Sequence, residues 1–317
     1  MKKSFIITVD TEPDGQWDIK AKSTTENAKY IIRFQNLCEK YGFKPVYLVD
    51  YIMASDEYFV NMIKERVENN KCEIGMHLHA WDTPPIVEND KIINARPFIT
   101  EYSTDIMEQK VAMITEKLKA VFGKKIITHR AGRWAINEEY INILAKYGYK
   151  VDCSITPHID WSKTKGNLEN FFGPNYSEYS DKPFIIEKAN ILETPMTIKS
   201  IKGIATLKNL DKNNLKKILK RLILGEKLWF RPAMTSIKDL KYLCELSKED
   251  LYLMFMLHSS ELMPGGSPYF KDEIEIENLY KTLEEIFEFL ANSYEGVTLE
   301  EYYFRFTKKI QEKNNGI

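Results

Sequence analysis

Short segments rich in β-branched and aromatic residues alternate with amphipathic segments along the first half of the chain. The former predict strands, at Phe5–Val9, Pro45–Val49, Glu73–His77, Ile126–His129 and Lys150–Ile155. The latter predict helices, at Glu26–Tyr41, Asp56–Asn69, Thr104–Phe122 and Asn137–Tyr147. In the third helix the apolar side chains recur every three or four residues, the period of a half-buried helix. Strands that alternate with helices predict an α/β fold with a parallel sheet, open or closed into a barrel.

The alternation becomes less regular after Thr156. Residues 157–183 are polar and aromatic, contain glycines and prolines, and predict a long loop or lid. Further strands are predicted at Phe184–Glu187, Ile191–Thr194, Leu228–Arg231 and Leu251–Leu257, and further helices at Asn213–Leu224, Glu273–Ala291 and Thr298–Ile310. Since the sequence shows no repeat or linker, we expect a single domain over residues 1–317, with an insertion at 157–183 and C-terminal helices at 273–310.

The composition is that of an ordinary globular protein, because 44% of the 317 residues are hydrophobic and 29% are charged. Lysine and arginine (45) balance aspartate and glutamate (46), and a net charge of -1 argues against a nucleic-acid partner. The first apolar run ends at Asp10, too early for a secretory signal, and no run reaches the ~18 residues of a membrane span. Four dispersed cysteines without a Cys-x-x-Cys pair favour a cytoplasmic protein with buried, reduced thiols.

Chemically capable side chains fall at the carboxyl ends of the predicted strands. They are Asp10, Glu12, His77, His79, Arg130, Asp152 and His258. Active sites of parallel sheets and α/β barrels are built at that edge, where side chains distant in sequence converge. The pattern therefore predicts an enzyme.

His77 and His79 are two positions apart, so on a strand both imidazoles point to the same side and can reach one metal ion. Imidazole together with carboxylate ligands favours Zn²⁺, and another divalent transition metal fits the same donors. Asp10 and Glu12 repeat this spacing: one carboxylate suits metal ligation and the other suits general base catalysis. The alternatives are structural histidines and an acidic N-cap of the following helix.

Three more residues have candidate roles in such a site. Histidine exchanges protons near neutral pH, so His258 suits protonation of a leaving group; the alternative is a buried histidine bonded to a backbone carbonyl. Arg130 suits holding a carboxylate such as Asp10, with Asp152 as a further partner, and the alternative is a structural ion pair.

Other features are less specific. His129 and His158 are interpreted as structural or supporting residues. No Gly-x-Gly-x-x-Gly or Gly-x-Ser-x-Gly motif occurs at a strand end, which argues against a nucleotide cofactor and a serine hydrolase. The predicted loop carries aromatic residues that suit either stacking on sugar rings or packing onto its own domain, namely Trp161, Phe171, Phe172, Tyr176 and Tyr179.

Taken in order, five motifs resemble those of the polysaccharide deacetylase family with the NodB-homology domain, carbohydrate esterase family four. The matching segments are Thr8–Glu12, Glu73–His77, Arg130–Gly132, Val151–Ser154 and Leu257–Ser259, and the resemblance covers residues 3–270. It implies a distorted (β/α) barrel of about seven strands, a single divalent metal ion, and hydrolysis of N-acetyl or O-acetyl groups on a sugar. The roles it implies are general base for Asp10, general acid for His258, metal ligand for His77, and support of the base for Arg130 and Asp152.

The chain departs from the family pattern at two places. The family usually has two adjacent aspartates, whereas Thr11 separates Asp10 from Glu12 here. Its second motif usually has a second histidine four residues after the first, where this chain has Trp81. Because of the strand geometry described above, we expect His79 to take that ligand role.

The resulting hypothesis is metal-dependent removal of an acetyl group from a carbohydrate, such as a precursor in surface polysaccharide biosynthesis. Glu12, His77 and His79 hold the ion, which lowers the pKa of water from about 15.7 to about 7, and Asp10 removes the proton. One alternative is another metal-dependent hydrolase of the amidohydrolase or polymerase-and-histidinol-phosphatase type, which also uses His-x-His. The other is a catalytically inactive glycan-binding protein, an alternative raised by Trp81.

Overall fold

The computed structural model describes residues 2–17, 23–87, 96–202 and 222–314. Within these ranges the strands are β1 (Lys3–Thr11), β2 (Pro45–Val49), β3 (Glu73–Leu78), β4 (Thr128–Ala131), β5 (Val151–Asp152), β6 (Phe184–Ile186), β7 (Ile191–Glu193), β8 (Ile198–Ile201), β9 (Glu226–Trp229), β10 (Tyr252–His258) and β11 (Tyr294–Gly296). The helices are α1 (Ala28–Lys40), α2 (Glu57–Glu68), α3 (Thr104–Phe122), α4 (Glu138–Lys146), α5 (Ile237–Leu246), α6 (Glu273–Ala291) and α7 (Leu299–Asn314).

A run of parallel strands forms the sheet that carries the candidate site. Its spatial order is β10-β1-β2-β3-β4-β5-β7, with β6 antiparallel to β7 and β11 paired with the start of β1. The two edges of the run approach each other, since the amide of Met254 in β10 donates to Thr197 Oγ1, shortly after β7, over 2.8 Å. This architecture confirms the predicted α/β fold with a distorted (β/α) barrel.

Both faces of the sheet are buried, because consecutive side chains alternate between the barrel interior and the surrounding helices. In β1, Ile6 packs among the interior side chains, whereas Ile7 and Val9 belong to the core beneath the helices. The same alternation places Thr8 and Asp10 on the interior side of the strand. The first carboxylate of the site is therefore directed by the period of a buried strand.

The long predicted elements agree with the structure. The helices Thr104–Phe122 and Glu273–Ala291 have the predicted bounds, and so does the strand Pro45–Val49. Glycines follow three of the helices with the left-handed backbone that terminates a helix: φ is 71° at Gly42, 65° at Gly123 and 88° at Gly148.

Short elements agree less well. The strand predicted over Lys150–Ile155 is limited to Val151–Asp152, and β8, α5 and β11 have no counterpart among the predicted elements. The helix predicted over Asn213–Leu224 falls mostly on residues 203–221, which lie outside the described residues. All four cysteines are buried and free, as expected.

Residues 157–183 form the predicted long loop, with two isolated antiparallel bridges as its only regular pairing. The loop is held onto the barrel by Glu101, whose Oε2 accepts hydrogen bonds from the amides of Asn167 and Leu168 at 2.6 and 2.9 Å. The indole of Trp161 packs against that of Trp229, with ring centroids 6.4 Å apart. The loop therefore forms a wall beside the carboxyl ends of the strands.

In the described part of the chain, every helix is too short or too polar to cross a bilayer.

Candidate active site

The register of the parallel strands brings the predicted site residues to one place. Asp10 of β1 lies opposite His258 of β10, and His77 of β3 lies opposite Arg130 of β4. These pairs are at the carboxyl edge of the sheet, where the sequence predicted a site. Four side chains from four strands thus share one end of the barrel.

Glu12 and His79, which directly follow β1 and β3, complete a cluster of buried donor atoms with His77. Glu12 Oε2 lies 3.1 Å from His79 Nε2 and 3.5 Å from His77 Nε2. One ligand atom from each of the three residues lies within 4.8 Å of the other two. Two imidazole nitrogens and a carboxylate oxygen are a donor set that Zn²⁺ prefers, so these residues fit a divalent cation.

The surroundings of both histidines leave the Nε2 atoms available as ligands. His77 Nδ1 lies 3.0 Å from the carbonyl oxygen of Arg130, to which an Nδ1–H donates, so Nε2 is the nitrogen that faces the site. Burial lowers the pKa of His79 to about 3 despite the opposing charge of Glu12. His79 is therefore neutral, which is the form of imidazole that binds a metal.

The position of His79 depends on Gly132 and Trp81. A Cβ atom at Gly132 would lie 2.4 Å from His79 Cδ2, so only glycine leaves room for the imidazole. The indole of Trp81 stacks on the His79 ring, with centroids 4.3 Å apart and an interplanar angle of 23°. Trp81, at the position where the family pattern has a histidine, supports the imidazole of His79.

Asp10 is held by Arg130, whose Nη1 donates to Asp10 Oδ1 over 2.5 Å. Arg130 is fully buried and is oriented by a second hydrogen bond, from Nε to the carbonyl of Cys153 at 3.1 Å. Burial by itself would raise the pKa of Asp10, but the charges of Arg130, His77 and His258 outweigh it and lower the pKa to about 2. Asp10 is therefore ionised at neutral pH, and the predicted contact with Arg130 is present.

The predicted contact between Asp152 and Arg130 is not formed. Asp152 lies opposite His129, and its Oδ1 is 2.6 Å from His129 Nδ1 and 2.8 Å from Ser154 Oγ. Because side chains alternate along a strand, Asp152 shares a face with His129, whereas Arg130, one position later, points into the barrel. Asp152 therefore belongs to the layer between sheet and helices, with His129 as its partner.

His258 faces the two carboxylates from the other side of the site. Its Nε2 lies 3.9 Å from both Asp10 Oδ2 and Glu12 Oε1. Its Nδ1 lies 3.1 Å from Glu261 Oε1 and 3.0 Å from Arg231 Nη2, and Arg231 also donates to Glu261. These contacts orient the imidazole, so that His258 Nε2 is directed at Asp10 and Glu12.

Glu261 and Arg231 were not predicted from the sequence. Glu261 is three residues after His258, and the turn that begins at Ser259 returns its side chain to the histidine. The spacing of three residues between His258 and Glu261 was the one feature of the sequence that could have predicted this contact. Arg231 follows β9, which is separated from β10 by a helix, and its contact with His258 depends on how these segments pack.

The site opens into a cavity of about 480 Å³. Asp10, Glu12, His77, His79 and His258 all line it. All five tryptophans of the chain line it as well, namely Trp17, Trp81, Trp134, Trp161 and Trp229. A cleft with an acidic and imidazole centre and indole walls is suited to a ligand that has both polar groups and flat apolar faces.

The predicted aromatic loop contributes to this cavity through one residue. Trp161 lines the cavity, whereas Tyr176 is buried beside it with its hydroxyl donating to the carbonyl of Trp134 over 2.5 Å. Phe172 and Tyr179 are exposed away from the cavity. Packing onto the domain is therefore confirmed for Tyr176, whereas stacking on a sugar ring stays a prediction for Trp161.

Comparison with known proteins identifies similar folds. Neither a family model nor a curated protein matches the chain. A solved structure described as a polysaccharide deacetylase from Mycobacterium smegmatis is 11% identical, with a TM-score of 0.53 over 97% of this chain and 91% of that chain. The chain has the fold of polysaccharide deacetylases. The predicted resemblance is confirmed at that level.

Two other solved structures share the fold with similar TM-scores. A GH57 branching enzyme from Thermococcus kodakaraensis is 12% identical, with a TM-score of 0.53 over 95% of this chain and 71% of that chain. The 4-alpha-glucanotransferase from Thermococcus litoralis is 13% identical, with a TM-score of 0.55 over 97% of this chain and 41% of that chain. Because one fold can support different reactions, the reaction has to be inferred from the residues of the site.

Proposed function

We propose that the chain is a metal-dependent deacetylase that removes an acetyl group, bound through nitrogen, from a sugar or a glycan precursor. The observation that carries this proposal is the convergence of Glu12, His77 and His79 with an arginine-held aspartate and a histidine in one cavity. Metal-assisted hydrolysis requires ligands for the ion together with a separate general acid and general base, and these residues provide all three.

Glu12, His77 and His79 are the residues that would hold the ion, and their donor atoms favour Zn²⁺. When bound, the ion supplies Lewis-acid polarisation of the acyl carbonyl and a lowered pKa for water. The Nε2 atoms of His77 and His79 lie 3.5 and 3.1 Å from the same oxygen, Glu12 Oε2, so little rearrangement is needed to surround a cation.

Asp10 and His258 divide the proton transfers. Asp10 presents Oδ2 to the site while Arg130 holds Oδ1, so Oδ2 is the atom that takes the proton of the attacking water. His258 Nε2 donates a proton to the departing amine nitrogen as the C–N bond breaks, and acetate is released. Glu261 lies 3.1 Å from His258 Nδ1 and holds the ring in the orientation that this transfer needs.

The walls of the cavity support a carbohydrate substrate. Indole rings stack on the apolar faces of sugar rings. Tryptophans flank the site on both sides: the ring centroids of Trp17 and His258 are 4.8 Å apart, and those of Trp81 and His79 are 4.3 Å apart. A cytoplasmic location and a role in surface-glycan biosynthesis stay predictions.

An acetate-release assay on N-acetylated sugars, with the metal content measured in parallel, tests the proposal. We expect one Zn²⁺ per chain and release of acetate by the wild type. Asp10→Asn should bind Zn²⁺ normally and lose about 10²–10⁴-fold in kcat, because it removes a general base but no ligand. The control is Asp105→Asn, which changes an exposed aspartate in the first turn of α3 and should keep full activity.

Other results favour the alternatives. Two or three ions per chain would support a hydrolase of the amidohydrolase type. A chain that holds no metal but retains glycan would support a binding protein. An Asp10→Asn variant with wild-type kcat would remove Asp10 from the role of base.

A further inference from the structure

The second ring nitrogen of His79 faces two buried carboxyl groups outside the proposed ligand set. His79 Nε2 faces Glu12, whereas Nδ1 lies 3.7 Å from Asp82 Oδ2 on the other side of the ring. One potential donor or ligand atom each from Asp50, His79 and Asp82 lies within 4.8 Å of the others. These three residues are called the Asp50–His79–Asp82 cluster below.

The atoms of this cluster have unused hydrogen-bonding capacity. His79 Nδ1, both carboxylate oxygens of Asp82 and Oδ2 of Asp50 are buried and form no hydrogen bond with the described residues. A buried polar atom that has lost its water and found no partner destabilises the folded chain. A hydrogen bond from His79 Nδ1 to Asp82 Oδ2, the nearest pair among them, would give two of these four atoms a partner.

The loop after β3 holds Asp82 in place. Lys110, fully buried on α3, donates from Nζ to three carbonyl oxygens of this loop: Ala80 at 2.7 Å, Thr83 at 2.8 Å and Pro85 at 2.8 Å. These bonds fix the backbone on both sides of Asp82. The Lys110 ammonium also acts electrostatically on the Asp82 carboxyl group and supplies a positive charge at this place.

The His79 ring is fixed as well. Trp81 covers one of its faces, and Gly132 approaches so closely that a single added carbon would lie 2.4 Å from Cδ2. The imidazole therefore cannot turn away from Asp82 without displacing its neighbours. Both members of the pair are held at a separation slightly longer than a hydrogen bond.

We propose that Asp82 is a positioning residue that accepts a hydrogen bond from His79 Nδ1–H and so keeps the lone pair of His79 on Nε2, where the ligand set needs it. Carboxylates in this position orient a metal-bound imidazole and increase its basicity. The inference rests on the proposed function insofar as His79 is a metal ligand.

A second cation bound by the Asp50–His79–Asp82 cluster is the competing interpretation. It requires the imidazole of His79 to lose both of its ring protons, because Nε2 already belongs to the first set of ligands. The ammonium of Lys110 also already acts as a positive charge on the Asp82 carboxyl group. A donor at Nδ1 satisfies the cluster without either difficulty.

Competition with a chromophoric chelator, which measures Zn²⁺ affinity, tests the role of Asp82. Asp82→Asn should weaken Zn²⁺ binding by about 10–100-fold, because the amide is a poorer acceptor for Nδ1–H. Glu73→Gln is the matched control: it changes another buried carboxyl group, at the opposite end of β3, and should bind Zn²⁺ like the wild type. Circular dichroism verifies that both variants are folded.

Nitrogen NMR of the histidine side chains provides a second measurement that does not require the variant to fold. In the wild-type chain, with and without Zn²⁺, we expect the His79 spectrum of a ring protonated at Nδ1. A ring protonated at Nε2 in the metal-free chain would overturn the inference.

The outcomes separate the inference from the proposed function. A wild-type chain that binds no Zn²⁺ overturns both. A wild-type chain that binds one Zn²⁺, together with an Asp82→Asn variant of equal affinity, overturns the positioning role alone. Two ions per wild-type chain also overturn it, because Nδ1 would then be a ligand instead of a donor.

Discussion

The side chain missing at position 132 makes room for the imidazole of His79. Gly132 belongs to the motif that follows Arg130, and its Cα approaches both His79 and the carbonyl of Leu78, where an added Cβ would lie 2.6 Å from the oxygen. This explains why the arginine motif ends in glycine: the small residue leaves space for His79, a proposed ligand on the neighbouring strand. The spacing His-x-His predicted that His77 and His79 share a side, and the structure brings their rings to 4.5 Å.

We therefore expect Gly132→Ala to weaken Zn²⁺ binding by about 10-fold or more, since displacing a ligand is at least as costly as losing its support. The measurement is chelator competition. Gly42→Ala is the control, because at φ 71° the new Cβ meets nothing within 4 Å. That variant should lose about 1–2 kcal/mol of stability from backbone strain and keep its Zn²⁺ affinity. Unchanged affinity in Gly132→Ala would contradict the described position of His79.

The roles of the charged residues were only partly predictable at this scale. Arg130 was expected to hold a carboxylate, and it holds Asp10. Its second expected partner, Asp152, faces the opposite side of the sheet and pairs with His129. A motif shows that an arginine and an aspartate are close, but strand register and alternation decide which of them meet.

Strand β3 has different chemistry at its two ends. Its carboxyl end carries the histidines, and its amino end carries Glu73, which is buried. Glu73 Oε1 accepts from Thr128 Oγ1 at 2.5 Å, and Oε2 accepts from the amide of Glu300 at 2.9 Å. Burial nevertheless raises the pKa of Glu73 from 4.5 to about 7, because these bonds do not offset the loss of water.

This shift predicts a pH-dependent stability. Between pH 4.5 and about 7 the folded chain keeps a proton on Glu73 that the unfolded chain releases, so its contribution is present at low pH and is lost as pH rises. The free energy of unfolding of Glu73→Gln, measured relative to that of the wild type, should therefore increase by up to about 3 kcal/mol from about pH 5 to about pH 8. Urea unfolding at both pH values measures it. Glu65→Gln, on the exposed side of α2, is the control, and an equal effect there would contradict the prediction.

Long helices were easier to predict from the pattern of apolar residues than short strands and helices were. Helices of 19 residues, such as α3 and α6, contain enough periods to be located by their apolar positions. Strands of three or four residues, such as β8 and β11, contain too few. Helix α5 did have a signal, since Ser236 caps it and accepts from the amide of Asp239 at 3.3 Å, but its 10 residues follow an irregular segment.

The whole molecule is what brings the proposed ligands together. Glu12 comes from the end of β1, whereas His77 and His79 come from the end of β3, with β2 and two helices between them in the chain. The unfolded chain does not present the three side chains as a group. Binding of a cation is therefore coupled to folding.

We expect Zn²⁺ at about 100 times its Kd to raise the free energy of unfolding by about 2.7 kcal/mol, and a chelator to reverse the gain. Thermal unfolding with and without Zn²⁺ measures this effect. His77→Ala should lose it, because one of the ligands is gone, whereas His158→Ala, in the loop of residues 157–183, should retain it. A full stabilisation of His77→Ala by Zn²⁺ would place the ion elsewhere.

The amino-acid sequence by itself determines the order of strands and helices and the edge of the sheet that carries the site. It also determines that residues two positions apart on a strand share a side. These are local properties, set by the periods of buried strands and helices. The tertiary structure alone decides that Arg130 meets Asp10, that Glu261 and Arg231 enclose His258, and that five tryptophans surround one cavity. Those contacts join segments far apart in the chain, and only the register and curvature of the sheet set the distances between them.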